Sequence, residues 1–155
     1  MLTSFSVPVS PSESDPIVLD RRQRLYFANS VGSITEHPDG YAIVRYNAGP
    51  RQLDHLQAFL AHASQLLRSR NWHKMLGDQR LMSPYTPEEQ AWIVDYWLMR
   101  QQTEGRAVYG AVVVPHDVFA RLSLSQMMHE AQAAALTYRL FDEEEVAIAW
   151  LRQLD

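Results

Sequence analysis

The stretch from residue 72 to residue 89, WHKMLGDQRLMSPYTPEE, most constrains the fold, because it reads as a strand, a polar turn and the start of a helix. Residues 73–76 are predicted to form the strand. Gly77 and Asp78 favour a turn through backbone freedom and local hydrogen bonding, so the strand is expected to end there. A strand that leads into a helix is typical of an α/β sheet.

The helix after this turn is predicted to begin at a capping box. Thr86 is the predicted cap, Pro87 fits the first helical position, and Glu89 follows the cap by three residues, where a capping box needs a carboxylate. Apolar residues then recur near helical spacing and form a broad aromatic face, most of which is expected to be core. These residues are Trp92, Ile93, Tyr96, Trp97 and Met99.

The loop between this strand and this helix, residues 79–85, is the predicted binding site. Open α/β sheets tend to bind ligands where a strand's carboxyl end meets a helix amino terminus. The amino terminus also favours an anion, including a phosphate on a serine or threonine of this loop. The alternative is a structural loop with a capping threonine and an exposed arginine. The candidates for partner binding or phosphorylation are Asp78, Arg80, Ser83, Tyr85 and Thr86.

Upstream, the chain is predicted to begin its sheet with three strands. The first starts near Leu25, the second covers residues 32–36, and an Asp-Gly turn at residues 39–40 leads into the third, residues 41–46. Apolar residues on both faces of the third strand predict a central position in the sheet. The Asp-Gly turn predicts an antiparallel hairpin at the start of the sheet.

A continuous apolar stripe from Leu53 to Leu67 predicts a long helix over about residues 51–70. Burial of a Leu or Phe side chain contributes about 1.5 to 3 kcal/mol, so this stripe offsets much of the cost of ordering the helix. His55 and His62 share a face of it. Because no carboxylate or third histidine is placed with them, no metal site is predicted.

The second half of the chain continues the alternation of strands and helices. Gly105 is predicted to break a helix before a buried strand at residues 108–114, VYGAVVV, which Pro115 ends. Residues 116–119 then form a short helical turn. Ser123 or Ser125 is predicted to cap the next helix, which runs to about residue 135. Residues 137–141 form a strand, and Asp142 caps the last helix.

Length and composition limit the number of domains, the cellular compartment and the kinds of partner that we expect. The chain has 155 residues, enough for one domain over residues 23–155, after an arm at residues 1–22 rich in Ser and Pro. It contains no cysteine, and its first residues show neither a signal peptide nor a membrane span, so we expect a cytoplasmic protein. A net charge of −4 argues against a nucleic-acid partner.

Taken together, the pattern predicts an α/β fold with a mixed sheet, an N-terminal antiparallel hairpin and about four helices, in the order βββαβαβαβα. Three stretches in this order, HKMLGDQR, AVYGAVVV followed by HDVFARLS, and TYRLFDEEEVAIAWL, resemble the STAS family, the domain of bacterial anti-sigma-factor antagonists and sulfate-transporter tails. The chain is most similar to the divergent SpoIIAA-like proteins. The similarity covers roughly residues 25–154.

The resemblance implies a regulatory module whose loop presents a serine at the start of a helix, where a partner kinase phosphorylates it to switch binding. This sequence lacks the usual Asp-Ser-Ser-Gly, since Gln79 and Arg80 follow Asp78. The nearest hydroxyls belong to Ser83 and Thr86. Ser83 is the preferred acceptor, because a capping hydroxyl is already engaged with backbone N–H groups.

Three functions follow as hypotheses. The first is a non-catalytic module that binds another protein, or its own copy as a homodimer, through residues 78–86 and the adjoining helix. The second is a carrier or sensor of a small apolar or anionic ligand lined by Met82, Trp92 and Tyr96, with the other methionines at positions 75, 99, 127 and 128 as further candidates.

An enzyme is the third hypothesis and has the least support. Acid–base or nucleophilic catalysis needs a nucleophile, a base and an orienting group that converge. Ser83, His73, Asp78 and Arg80 are close in sequence, but His73 and Asp78 lie at either end of the predicted strand. We therefore predict no catalytic residue, cofactor or metal.

Overall fold

A six-stranded sheet whose strands lie side by side in chain order organises the fold. The computed structural model describes residues 22–99, 107–131 and 137–154. The strands are β1 (Arg24–Ala28), β2 (Gly32–His37), β3 (Tyr41–Tyr46), β4 (Lys74–Asp78), β5 (Tyr109–Val113) and β6 (Tyr138–Phe141). β1, β2 and β3 are antiparallel, whereas β3 to β6 are parallel, which confirms the predicted mixed sheet.

Helices connect the parallel strands. In the described residues the helices are α1 (Leu53–Arg70), α2 (Pro87–Trp92), α3 (Val118–Glu130) and α4 (Glu144–Gln153). α2 continues directly into a π-helix, Ile93–Met99, whose wider turns place hydrogen bonds five residues apart. The α/β class predicted from the sequence is therefore confirmed.

The sheet separates two apolar layers. On one face, α1, the π-helix and α3 pack over inward side chains such as Val44, Met75 and Val112. On the other face, α4 packs over Ile43 and Leu76. β3 pairs with β2 on one side and with β4 on the other, and it carries buried side chains on both faces, so its predicted central position is confirmed.

The start of α3 differs from the sequence prediction. α3 begins at Val118, and the carboxylate of Asp117 caps it by accepting from the backbone N–H of Ala120 at 3.0 Å. Ser123, one of the two predicted caps, lies inside the helix, where its hydroxyl donates to the Ala120 carbonyl, and Ser125 is exposed on a later turn. The predicted helical turn at residues 116–119 is thus the cap and first turn of α3 itself.

Three further boundaries differ. β4 does not end at Leu76, because Gly77 and Asp78 continue its parallel pairing with Val112 and Val113 of β5. The N-cap of α4 is Glu143 rather than Asp142, and its side chain makes no capping hydrogen bond. α3 ends at Glu130, earlier than the predicted end near residue 135. Residues 1–21 of the predicted arm and the predicted helix break at residue 105 lie outside the described residues.

Across the described ranges, none of the helices combines the length and the apolar character that a membrane crossing requires.

Candidate functional site

The tip loop, residues 79–86 between β4 and α2, is held in place by hydrogen bonds from the guanidinium of Arg51. That guanidinium donates to the carbonyls of Ser83 at 3.1 Å and Pro84 at 3.0 Å. It also donates to both carboxylate oxygens of Glu89, at 3.2 and 2.8 Å. The side chains of Arg51 and Glu89 are only 3% and 2% exposed, so this pair is a buried structural clamp.

The same carboxylate completes the predicted capping box. Glu89 accepts from the backbone N–H of Thr86 at 2.9 Å, and the Thr86 hydroxyl accepts from the N–H of Glu89 at 3.1 Å. Burial lowers the pKa of Arg51, but the hydrogen bond and charge of Glu89 outweigh it and raise that pKa overall. Loss of one member of such a buried pair costs about 3 to 5 kcal/mol, because the other charge is left without a partner.

The tip loop is also hydrogen-bonded to the segment just before α3 at one end and to α3 itself at the other. The backbone N–H of His116 donates to the Arg80 carbonyl at 3.0 Å. At the other end, the N–H of Tyr85 donates to the Ser123 hydroxyl at 3.2 Å. The tip loop and the first half of α3 therefore form one surface at the carboxyl edge of the parallel strands.

On the opposite face of the sheet, Asp78 and Arg80 belong to an ionic network with Arg45 and Glu144. Asp78 accepts from Arg45 at 2.5 Å and from two nitrogens of the Arg80 side chain at 2.9 Å each. Glu144 accepts from Arg45 at 3.2 Å and from Arg80 at 2.8 Å. Two guanidiniums and two carboxylates thus link β3, β4, the tip loop and α4.

The network lowers the pKa of Asp78. Burial alone would raise that pKa, but the side-chain and backbone hydrogen bonds from Arg80, together with the charges of Arg80 and Arg45, outweigh it. Asp78 therefore stays ionised and already has partners. Arg80, whose side chain is 34% exposed, is held in place by the same carboxylates.

The other predicted contact residues divide into buried and accessible ones. Tyr85 is 5% exposed, so its side chain does not reach a partner at the surface, and Met82, which was predicted to line a ligand site, is 1% exposed. Ser83 is half-buried and donates to the Gly49 carbonyl at 3.0 Å. Thr86 is exposed, but its hydroxyl is the helix cap. Phosphorylation of Ser83 or Thr86 stays a prediction.

Trp92 and Tyr96 stack on each other with ring centroids 4.6 Å apart, and both are half-buried. Of the residues considered for catalysis, Asp78 and Arg80 are in contact, but His73 lies at the other end of β4. His73 precedes β4 and its ring contacts the Ala107 carbonyl, whereas Asp78 ends that strand.

The two histidines of α1 have separate partners. Nδ1 of His55 is hydrogen-bonded to the Ser30 hydroxyl at 3.0 Å, and the His62 ring stacks on Phe27. Within the described residues, no group of three or more His, Cys, Asp or Glu side chains is placed to hold a metal ion.

Sequence reasoning missed an exposed apolar surface beside the tip loop. Leu81 of the loop is 62% exposed, and on α3 Val118, Phe119 and Leu122 are 73%, 72% and 55% exposed. We call these four residues the tip patch. A helical wheel of α3 was the available signal, since these three side chains lie off the face that carries the buried Leu124 and Met127.

The sequence matches no protein-family model and no curated protein. The resemblance to the STAS family therefore rests on the three quoted stretches and on the order of the elements.

Proposed function

We propose that this protein is a non-catalytic, regulatory interaction module of the STAS type that binds a protein partner through the tip loop and the tip patch. The observation that carries the proposal is the exposure of four large apolar side chains, 55% to 73% each, on two segments that are hydrogen-bonded to each other. The mixed sheet with its helices and the three quoted stretches support the STAS-type class.

A protein partner gives the tip patch a physical role. Contiguous exposed apolar patches on soluble proteins commonly mark interaction sites. Full burial of a Leu, Val or Phe side chain contributes about 1.5 to 3 kcal/mol, and a few central anchors commonly supply most of a binding energy. Phe119 is the largest of the four side chains and is the proposed anchor.

The surface is also pre-organised. α3 is fixed to the core by Ala120, Leu124 and Met127, each at most 3% exposed, and its amino end is capped by Asp117. The Arg51–Glu89 clamp holds the tip loop. A partner therefore binds without ordering these segments, which removes part of the entropic cost of association.

The proposal does not rest on phosphorylation. A phosphate on Thr86 would replace the cap that satisfies the Glu89 N–H and would add negative charge beside Glu88 and Glu89 in the first turn of α2. A phosphate on Ser83 would break its bond to Gly49. We therefore propose that the apolar surface, rather than a modified hydroxyl, determines binding.

Site-specific photocrosslinking tests the proposal. A photoreactive benzoylphenylalanine at position 119 is expected to give a discrete crosslinked species in the cells from which the chain originates. The same residue at position 146, a 52% exposed valine on α4 on the opposite side of the sheet, is the matched control. Sedimentation of the purified protein then shows whether the partner is a second copy.

A surface variant separates binding from folding. Leu122→Asp is expected to abolish the crosslink at position 119 while the thermal midpoint stays near that of the parent, because Leu122 is half-exposed. Equal labelling from positions 119 and 146, or a crosslink that survives Leu122→Asp in a folded protein, would refute the tip patch as the binding surface.

A further inference from the structure

A cavity of about 50 Å³ lies between the sheet and the helical layer formed by the π-helix and α3, beneath the tip loop. Three of the methionines considered as ligand-lining candidates, Met75, Met127 and Met128, contribute to its wall. Met82, Trp92 and Tyr96, the lining residues predicted from the sequence, are not among the residues that line it. The cavity therefore differs from the predicted site in position but shares its methionine-rich, apolar character.

One wall of the cavity carries a buried hydrogen-bond acceptor without a partner. Gln79 lines the cavity, is 7% exposed, and its Oε1 accepts no hydrogen bond within the described part of the chain. Its amide nitrogen donates to the Tyr85 hydroxyl at 3.3 Å, and that hydroxyl donates to Tyr46 at 3.3 Å. An unmet buried acceptor costs about 1 to 3 kcal/mol, so this oxygen favours a donor in the cavity.

The rest of the wall is adaptable. Gly77 on β4 leaves open space, since a Cβ there would meet its nearest neighbour, Val112, at an ordinary 3.7 Å. Ile93, Trp97 and Leu98 reach the cavity from the π-helix, a form that occurs frequently at functional sites. Unbranched methionine side chains change shape at low cost, so the cavity can enlarge around a ligand.

The lining also excludes ions. Among the described residues no charged side chain lines the cavity, so an anion or a cation would lose its hydration without a counter-charge. An anion would in addition face the Gln79 oxygen. A neutral molecule with a small apolar body and one hydrogen-bond donor satisfies both parts of the wall.

We propose that this cavity binds a small neutral amphipathic ligand whose hydroxyl or N–H donates to Oε1 of Gln79 while its apolar part packs against Met75, Met127 and Trp97. The site is independent of the tip patch. A buried water would satisfy the oxygen but would leave the apolar wall without contacts, and it is the outcome that the experiment must exclude.

A matched pair of probes tests the donor. 2-Propanol and acetone have the same number of heavy atoms, but only 2-propanol donates. With the methionine methyl groups labelled with ¹³C, titration with 2-propanol is expected to shift the signals of Met75, Met127 and Met128 with saturation. The signal of Met82, which is 1% exposed and lies outside the cavity wall, should stay in place. Acetone is expected to bind about tenfold more weakly.

Two variants make the result decisive. Gln79→Met removes the acceptor at similar size and is expected to abolish the preference for 2-propanol over acetone. Gly77→Ala places a methyl group in the cavity without a clash and is expected to weaken 2-propanol binding about tenfold. This second variant serves if Gln79→Met does not fold.

Three results would overturn the proposal. The first is equal response to the two probes in the parent protein, and the second is unsaturable shifts that include Met82. The third is occupancy by water only, seen as the absence of any probe response. None of these results bears on crosslinking from position 119, so the two proposals fail separately.

Discussion

At the scale of single residues, two glycines on neighbouring strands face the same layer but differ in their tolerance of a side chain. A Cβ on Gly110 would lie 2.4 Å from the Tyr138 ring, whereas a Cβ on Gly77 meets Val112 at 3.7 Å. The Tyr138 ring lies against Gly110, and its hydroxyl accepts from the Trp97 indole at 2.8 Å. Burial raises the pKa of Tyr138, which keeps this hydroxyl protonated. Gly110 is therefore needed to make room for the Tyr138 ring, whereas Gly77 leaves part of the cavity open and can accept a methyl group.

Gly110→Ala is expected to destabilise the protein by about 1 to 3 kcal/mol, because the ring must leave its position over β5. Gly77→Ala, the matched control, is expected to change stability by less than about 1 kcal/mol. Urea unfolding measures both values. Equal destabilisation by the two substitutions would contradict the assigned contact between Gly110 and Tyr138.

At the scale of elements, the start of α3 is determined by its N-cap, Asp117, rather than by a stripe of apolar residues. Val118, Phe119 and Leu122 are exposed, so its apolar residues do not form a single stripe as they do on α1. The hydrogen bond from the Ala120 N–H to Asp117 fixes where the helix begins. The position of the tip patch follows from that start.

Removal of this cap tests the assignment. Asp117→Ala is expected to cost about 1 kcal/mol of unfolding free energy, since an N-cap carboxylate is lost. Ser125→Ala, at an exposed position that the sequence pattern favoured as a cap, is expected to have no measurable effect. Chemical denaturation of both variants decides between the two starts, and the reverse ranking would place the cap at Ser125.

The elements that the sequence predicted well are those whose signal is local. The stripe from Leu53 to Leu67 identified α1, and the spacing of Thr86 and Glu89 identified the capping box. The predicted start of α3 is wrong, because exposed and buried apolar residues cannot be distinguished by residue type alone. The Arg51–Glu89 clamp and the burial of Gln79 depend on contacts between distant segments, which no local pattern reports.

At the scale of the whole molecule, the network of Arg45, Asp78, Arg80 and Glu144 couples folding to pH. The folded state lowers the pKa of Asp78 below its ordinary value. Its ionised form therefore stabilises the fold above the ordinary pKa of about 3.9, and this stabilisation is lost as the pH falls through the lower folded pKa.

Unfolding free energies at pH 7 and pH 3 are expected to reveal this link. Asp78→Asn should be clearly less stable than the parent at pH 7, and the difference should narrow at pH 3. Asp54→Asn, an exposed position in the first turn of α1, should cost no more than about 1 kcal/mol at either pH and so should change stability far less than Asp78→Asn. A constant difference between Asp78→Asn and the parent would show that the charge of Asp78 is not the source of its effect.

The same network has a consequence for biosynthesis. Glu144 lies 99 residues beyond Arg45, so a ribosome translates both arginines and Asp78 well before it translates this second carboxylate. Until α4 docks, the edge carries one positive charge more than it does in the native state. We expect a stalled nascent chain that ends before residue 144 to carry that surplus positive charge, because the second carboxylate of the network has not yet been translated.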